Sequence, residues 1–323
     1  MRHRYLDVLK GILIIFVVIG HGAFTKFPEL HRIVYWFHIP VFFILNGYLT
    51  DWNKKSIGEF CRGKFQAYAI PYIAFSTFFI LISPNKLMNI VRMLLGGNYN
   101  ITWYSYPFWF INTLFISVCL YKVLYNTFGE GGRFSVAIIS WILVHLFTKF
   151  GFRLSMPWGI EYSMIAIPYI EIGAIIRRLC SVENLKLNRG KRTALSIIGL
   201  TIFLIADGLL ELDYELNIQA YIVQNIALDI IVPLFFFFIL IEVSVIFSRW
   251  NIIELVLEKL GKASLVILFS HAAVMRISKE LMPDMLEENQ IALLSVVIAL
   301  LIGSVLWYIF SKNYYMKKVF LGK

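Results

Sequence analysis

The segment RYLDVLKGILIIFVVIGHG, residues 4–22, is an apolar stretch that contains three ionisable side chains, Asp7, Lys10 and His21. On an α-helix each residue advances by about 100° and about 1.5 Å. Lys10 and His21 therefore fall on nearly the same face, about 16 Å apart along the axis, and Asp7 lies within about 40° of that face. The segment predicts a membrane-embedded helix with one polar stripe.

The three side chains of this stripe suit different chemical tasks. His21 lies deep in the apolar segment, where an imidazole with an unperturbed pKa of about 6.5 can take up and release a proton near neutral pH. Lys10 and Asp7 lie near the inner end, where a lysine either binds an anionic ligand or reaches the lipid headgroups. Asp7 is about 21 Å from His21 along the axis, so we expect it to pair with Lys10 or Arg4. Buried ionisable groups usually mark a functional path, although a packing role for a neutral histidine stays open.

The rest of the chain has the composition of a membrane protein. Of its 323 residues, 59% are hydrophobic and 15% are charged, whereas about a quarter of the residues in soluble domains are charged. We predict one all-α integral membrane domain, residues 1–323, with about ten transmembrane helices. The predicted spans are 6–26, 32–51, 65–83, 106–126, 134–150, 159–177, 193–210, 219–247, 261–280 and 291–311.

The distribution of basic residues sets the orientation. The net charge of +10 would suit a nucleic-acid-binding protein if it were clustered on one domain. Instead, most of the 30 Lys and Arg residues fall in the segments that face the cytoplasm when the N-terminus is inside. The positive-inside rule then predicts that both termini are cytoplasmic, and it accounts for the charge without a nucleic-acid partner.

Several segments carry a resemblance to a known family. LDVLKGILIIFVVIGH resembles the opening motif of the acyltransferase-3 family of integral membrane acyltransferases, which has Arg, then ten residues, then His. Lys10 stands in the Arg position and keeps its charge but not its bidentate fork, and His21 stands in the His position. FHIPVFFILNGYL, with Asn46 where Ser is common, YPFWFINTLF, IPYIEIGAIIRR and LGKASLVILFSHAAV resemble later family segments in the same order. The length is similar to that of the sugar-modifying subgroup, without the extracytoplasmic domain that some members carry.

The resemblance implies an O-acyltransferase of the bacterial cytoplasmic membrane. Its donor would be a cytoplasmic acyl-CoA, most often acetyl-CoA, and its acceptor a hydroxyl of an extracytoplasmic or lipid-linked glycan. On this reading Lys10, with Arg62 and Lys64 of KKSIGEFCRGK, holds the CoA phosphates. His21 acts as general base or carries the acyl group transiently.

Other polar residues complete the expected site. His38 and Glu171 are further catalytic candidates, although pairing of Glu171 with a cation is an equal alternative. Trp109 and Asn112 are expected to line the acceptor cleft, with Asn46 and Asp7 as structural support. A Trp at this depth also serves as an interfacial anchor.

Some residues are expected to have no catalytic or metal-binding role. His271 is interpreted as a satisfied core histidine, His145 as peripheral, and Asp229 as serving the kink at Pro233. The cysteines Cys61, Cys119 and Cys180 are scattered, which predicts neither a disulfide framework nor a metal site.

Two other functions fit a polytopic bundle. One is a transporter of a lipid-linked sugar or small solute, which often shows an internal repeat that this sequence lacks. The other is a non-catalytic partner in a glycan-assembly complex. Neither the acceptor, nor the acyl group, nor the oligomeric state is readable from the sequence.

The orientation can be tested by labelling. Cysteines introduced at Glu211, in the acidic loop DGLLELDYELN, and at Lys186 should react oppositely with a membrane-impermeant thiol reagent, because the two loops are predicted on opposite sides. Whole-cell labelling at Glu211 alone is the expected result, and equal labelling of both positions from outside would contradict the orientation.

Overall fold

The computed structural model describes residues 4–22, 24–99, 101–179, 189–282 and 286–323 as a bundle built mostly of helices. Cys180 and the labelling position Lys186 lie outside these residues. The helices are α1 Arg4–Gly20, α2 Pro28–Leu49, α3 Ile57–Lys64, α4 Ile70–Ile82, α5 Lys86–Leu95, α6 Trp109–Thr127, α7 Glu130–Lys149, α8 Ser163–Leu179, α9 Arg189–Leu210, α10 Leu228–Phe247, α11 Asn251–Leu281, α12 Glu288–Lys312 and α13 Tyr314–Phe320.

Within the described ranges, seven helical segments are long and apolar enough to cross a membrane. They are Ile57–Ile82, Tyr104–Thr127, Glu130–Lys149, Pro157–Leu179, Gly190–Leu210, Leu228–Phe247 and Glu288–Lys312. Each coincides with one of the ten predicted spans. The other three predicted spans, 6–26, 32–51 and 261–280, correspond to α1, α2 and α11, which contain the ionisable residues of the candidate site.

Two parts of the fold differ from the prediction. The predicted span 219–247 begins only at Leu228, because the residues before it form a short antiparallel hairpin, β1 Leu216–Asn217 and β2 Ile222–Val223. In addition, α3 and α4 are joined by a π-helical turn, Phe65–Ala69, where an unbroken α-helix was expected. The predicted span 219–247 therefore includes polar residues before Leu228, among them Gln219, Gln224 and Asn225, that do not belong to the helix.

The hairpin segment is tied to the outer end of α2. Arg32 forms an ion pair with the buried Asp207, with 2.8 Å between its Nη2 and the carboxylate. The indole N–H of Trp36 donates to the carbonyl of Tyr214 at 2.9 Å, and the Tyr214 N–H donates to Asp207 at 3.1 Å. These bonds fix the start of the hairpin over α2.

Helices α1 and α11 cross in backbone contact. A Cβ atom at Gly11 or Gly261 would lie 2.0 Å or 1.9 Å from a carbonyl oxygen of the partner helix. Because Cα–Cβ bonds tilt toward the helix N-terminus, each glycine faces the preceding turn of its partner and the two glycines lie at one level. Ten residues further along each chain, the rings of His21 and His271 stack with centroids 5.1 Å apart. The two helices therefore run parallel and in register.

Helices α2 and α8 repeat this arrangement. A Cβ at Gly47 would lie 2.1 Å from the carbonyl oxygen of Ile170, and one at Gly173 would lie 2.0 Å from that of Ile44. Small residues at such crossings let membrane helices pack backbone to backbone. The two glycine crossings set the positions of α1, α2, α8 and α11.

The α1–α11 crossing predicts a strong response to one methyl group. Gly261→Ala should destabilise the fold by at least about 1–3 kcal/mol, because the added Cβ meets backbone that cannot move aside. Gly208→Ala is the matched control, since nothing lies within 4 Å of a Cβ at that helical position. Thermal unfolding in detergent should show a clear loss of Tm for Gly261→Ala only. Equal Tm values for the two variants would contradict a tight crossing.

Candidate active site

The half of the bundle that contains the C-terminal end of α1 encloses a small cavity, which we call the histidine cavity. It has a volume of about 20 Å³, and its walls include His21, Tyr35, His38 and Trp109. Gln219, from the turn of the β1–β2 hairpin, also lines it. A volume of this size holds about one water molecule. His21, His38 and Trp109, which the sequence placed on three different helical spans, thus meet in one cavity.

His21 is held in an aromatic and polar surround. It follows directly after α1, which ends at Gly20 and not at residue 26 as predicted. The backbone N–H of His21 donates to the backbone carbonyl of Val18 at 3.2 Å. Its ring meets that of Tyr106 edge-on at 4.9 Å between centroids. The Tyr35 hydroxyl lies 3.4 Å from His21 Nδ1, a contact that requires one of the two groups to supply the hydrogen. The imidazole is therefore oriented from several sides.

His271 is a neighbour of His21 that was not predicted to belong to the site. Its Nδ1 lies 3.0 Å and 2.9 Å from the carbonyl oxygens of Ile267 and Leu268. Carbonyls only accept, so Nδ1 carries the hydrogen and Nε2 keeps a lone pair, for which the described residues provide no hydrogen-bond partner. The ring is fully buried and stacks on His21. The equal ten-residue spacing from Gly11 to His21 and from Gly261 to His271 was the signal available in the sequence.

His38 has the same tautomer for the same reason. Its Nδ1 lies 2.7 Å from the carbonyl oxygen of Val34, one turn earlier on α2. Nδ1 must donate to that carbonyl, which leaves Nε2 as an acceptor. Its ring packs edge-on against Tyr35, with centroids 4.8 Å apart.

A second, larger cavity lies toward the N-terminal end of α1, and we call it the inner cavity after the predicted orientation. It has a volume of about 270 Å³. Three lysines line it, Lys10 on α1, Lys262 on α11 and Lys323 after α13. Asn46 and Tyr68 also line it, and the Tyr68 hydroxyl donates to Asn46 Oδ1 at 3.3 Å. The cavity thus combines three cations with neutral polar groups.

The cations of the inner cavity have carboxylate neighbours. Lys10 Nζ lies 3.7 Å from the buried Asp7, and Lys262 Nζ lies 2.7 Å from Glu258. Of the two partners predicted for Asp7, Lys10 and Arg4, the structure places Lys10 beside it. Lys262 and Lys323 were not singled out in the sequence, because they approach Lys10 only through the packing of α1, α11 and the C-terminal residues.

The histidine cavity and the inner cavity are adjacent. Phe110 on α6 and Leu268 on α11 line both of them. Both side chains are buried, and Phe110 packs against the rings of Phe42 and Phe43 at 5.7 Å and 5.5 Å between centroids. Two side chains therefore separate the lysine-lined space from the histidines.

Arg62 and Lys64 do not line the inner cavity. Arg62 belongs to an open basic depression of about 460 Å³ that also includes Lys54, Lys55 and Glu59. Lys64 lies over the rings of Phe60 and Tyr68 at 5.3 Å and 5.4 Å. Since Tyr68 lines the inner cavity, Lys64 lies one ring away from it.

Glu171 and Asn112 lie away from the histidine cavity walls. The buried Glu171 accepts from the Tyr121 hydroxyl and lies 4.0 Å from Arg133 Nε, so the geometry favours the pairing alternative. Asn112 is buried beside Gly96, where a Cβ would lie 2.5 Å from its Nδ2. Neither residue is placed to touch a group bound beside His21.

Two residues interpreted as incidental form a buried pair instead. His145 Nε2 lies 3.0 Å from Asp229 Oδ2, and its Nδ1 lies 2.9 Å from the carbonyl oxygen of Trp141. The Asn225 N–H donates to the same carboxylate oxygen at 3.2 Å. Asp229 thus joins α7 to the start of α10, a larger role than serving the kink at Pro233.

Metal ligation has no support in the part of the chain that the structure describes. No group of three or more His, Cys, Asp or Glu side chains there is arranged to hold an ion. Cys61 and Cys119 are free thiols.

Comparison with known proteins identifies the family of the chain. A family model described as an acyltransferase domain matches residues 3–311. The nodulation protein NolL of Mesorhizobium japonicum is 29% identical to this chain over 161 residues, which cover 43% of this chain and 39% of the relative. The chain therefore covers less than two thirds of that relative. Because the family model extends over nearly the whole chain, the protein belongs to the acyltransferase-3 family.

Proposed function

We propose that the protein transfers an acyl group, acetyl in the first instance, from cytoplasmic acyl-CoA to a hydroxyl of an extracytoplasmic or lipid-linked glycan. The observation that carries the proposal is the pair of adjacent cavities along α1. One contains lysines at the inner end, and the other contains histidines at the outer end. A donor with a charged end and a reactive end fits that order.

The proposed setting is the bacterial cytoplasmic membrane. In this membrane, α1, α2 and α11 join the seven apolar segments to give ten embedded helices, and both termini lie on the cytoplasmic side. The seven segments expose large apolar side chains, such as Leu81, Leu195 and Leu301, as lipid contact requires. The three polar helices have buried cores and lie among the others, which is where intramembrane ionisable residues belong.

Donor binding is assigned to the inner cavity. Lys10 and Lys262 would hold the phosphates of CoA, with Lys323 beside them and Asn46 as a polar support. Arg62 and Lys64 would act earlier, as part of a basic approach that attracts the polyanion. The pantetheine arm then runs along α1, since the distance of about 16 Å from Lys10 to His21 is of the order of its extended length.

Acyl transfer is assigned to the histidine cavity. His21 removes the proton of the acceptor hydroxyl, and the oxygen attacks the thioester carbonyl. The carbon–sulfur bond breaks, the new ester forms, and the proton passes from His21 to the departing thiolate, so that CoA leaves as the thiol. Tyr35 and the stacked His271 orient the His21 ring, and Trp109 and Gln219 face the acceptor. A transient acyl-imidazole at His21 is the alternative route.

The catalytic assignment predicts a large effect at one residue. His21→Ala should lower acyl transfer by at least about two orders of magnitude, because general-base catalysis typically contributes 10²–10⁴-fold. CoA binding should persist, since the lysines lie about three turns away. The assay is transfer of labelled acetyl from acetyl-CoA to glycan by purified protein, with His38→Ala compared at matched folded protein. Near-normal turnover in His21→Ala, with loss in His38→Ala, would assign the base to His38.

The donor assignment predicts selective losses of affinity. Lys10→Ala and Lys262→Ala should each weaken CoA binding by about 10- to 100-fold, because a charge-assisted hydrogen bond is worth about 1.5–3 kcal/mol. Lys10→Arg should bind nearly normally, since the charge remains. Calorimetry in detergent measures the affinity, and Lys279→Ala, on α11 outside the inner cavity, is the control. Unchanged affinity in both alanine variants would remove the phosphates from this cavity.

A further inference from the structure

We propose that Phe110 and Leu268 form a partition that selects the acyl group by length. The inference rests on the proposed function, because it concerns the passage of a thioester from the inner cavity to His21. Only a donor whose acyl end can pass these two side chains reaches the histidines. No other pair of side chains described here lines both cavities.

The difference in volume between the two cavities gives the partition its effect. The inner cavity has about 270 Å³, whereas the histidine cavity has about 20 Å³. With the thioester carbonyl beside His21, the acyl tail extends beyond the partition into the smaller space. That space has room for about one water molecule, so every further methylene of the acyl tail must displace packed side chains. The structure therefore favours acetyl over longer donors.

Phe110 and Leu268 are packed firmly enough to discriminate between acyl groups of different length. The Phe110 ring is buried and lies among the rings of Phe42, Phe43 and Trp109, the last at 6.3 Å between centroids. Leu268 is buried on α11, and its carbonyl accepts the Nδ1 hydrogen of His271. Interiors packed in this way respond to a change of one methylene. The ring contacts of Phe110 and the burial of Leu268 thus hold both side chains within a packed interior.

The test is a donor series with variants on both sides of the passage. Wild type, Phe110→Leu, Phe110→Ala and Leu268→Ala are assayed for transfer to glycan from acetyl-, propionyl-, butyryl- and hexanoyl-CoA. The measured quantity is the ratio of kcat/KM for butyryl-CoA to kcat/KM for acetyl-CoA. It should rise at least about tenfold in the partition variants, because one methylene in an apolar pocket is worth about 10- to 200-fold.

Leu114→Ala is the matched control. Leu114 lies on α6 like Phe110, is 3% exposed where Phe110 is 4% exposed, and lines the inner cavity alone. Its truncation should leave the butyryl-to-acetyl ratio unchanged, although it removes a similar amount of packing. CoA affinity, measured in parallel, should stay near the wild-type value in all variants, since the lysines are untouched.

The outcomes separate this inference from the proposed function. The partition would be overturned by a butyryl-to-acetyl ratio of kcat/KM near one in the wild type. It would also be overturned if this ratio were unchanged in folded Phe110→Leu and Leu268→Ala. Either result would leave acyl transfer in place. A rise in Leu114→Ala equal to that in the partition variants would also overturn it, because general loosening would then be the cause. Absence of transfer from every donor by folded wild type, with glycan acceptors present, would instead overturn the proposed function.

Discussion

Helices α1 and α11 approach each other so closely at Gly11 and Gly261 that neither position has room for a Cβ atom. Both cavities depend on this contact. The lysines next to the glycines, Lys10 and Lys262, are brought to one space at the inner end. Ten residues further along, the same register stacks His21 on His271. Membrane helices gain little from apolar association in lipid, so close packing of small residues is the contact that can hold such a register.

Several charged side chains of the bundle are placed in ion pairs. Lys10 has Asp7, Lys262 has Glu258, and at a distance from both cavities Arg133 has Glu171. An isolated charge within a membrane span is costly, and a nearby carboxylate offsets part of that cost. An anionic ligand would then bind a cation whose position the carboxylate has already fixed.

Much of the fold was predictable because apolar length and helical periodicity are local properties. They located the seven apolar segments, although two of these begin eight and nine residues away from the predicted start, and they put Lys10 and His21 on one face of the predicted first helix. They also directed attention to His38 and Trp109, and the family resemblance to Asn46; these residues line one cavity or the other. The family resemblance added the expectation of an acyltransferase, which the family match supports.

What escaped prediction depends on contacts between helices far apart in the sequence. His271 looked like a core histidine because its partner on α1 is 250 positions away. For Glu171 the sequence left catalysis and pairing as equal alternatives, because Arg133, its ion-pair partner, sits on a different helix. The β1–β2 hairpin was hidden within an apolar run, although its turn supplies Gln219 to the histidine cavity. Pairing of this kind is fixed by tertiary packing and leaves no periodic trace in the sequence.

The π-helical turn Phe65–Ala69 has a consequence for how this chain can change in evolution. A π turn contains one residue more than the α-helical turn it replaces. Ala67 and Tyr68, within it, line the inner cavity. Loss of one residue here would restore a regular helix and rotate Tyr68 by about 100° relative to α4, away from Asn46. The lining of the inner cavity at Tyr68 thus depends on the number of residues in this turn as well as on their identity.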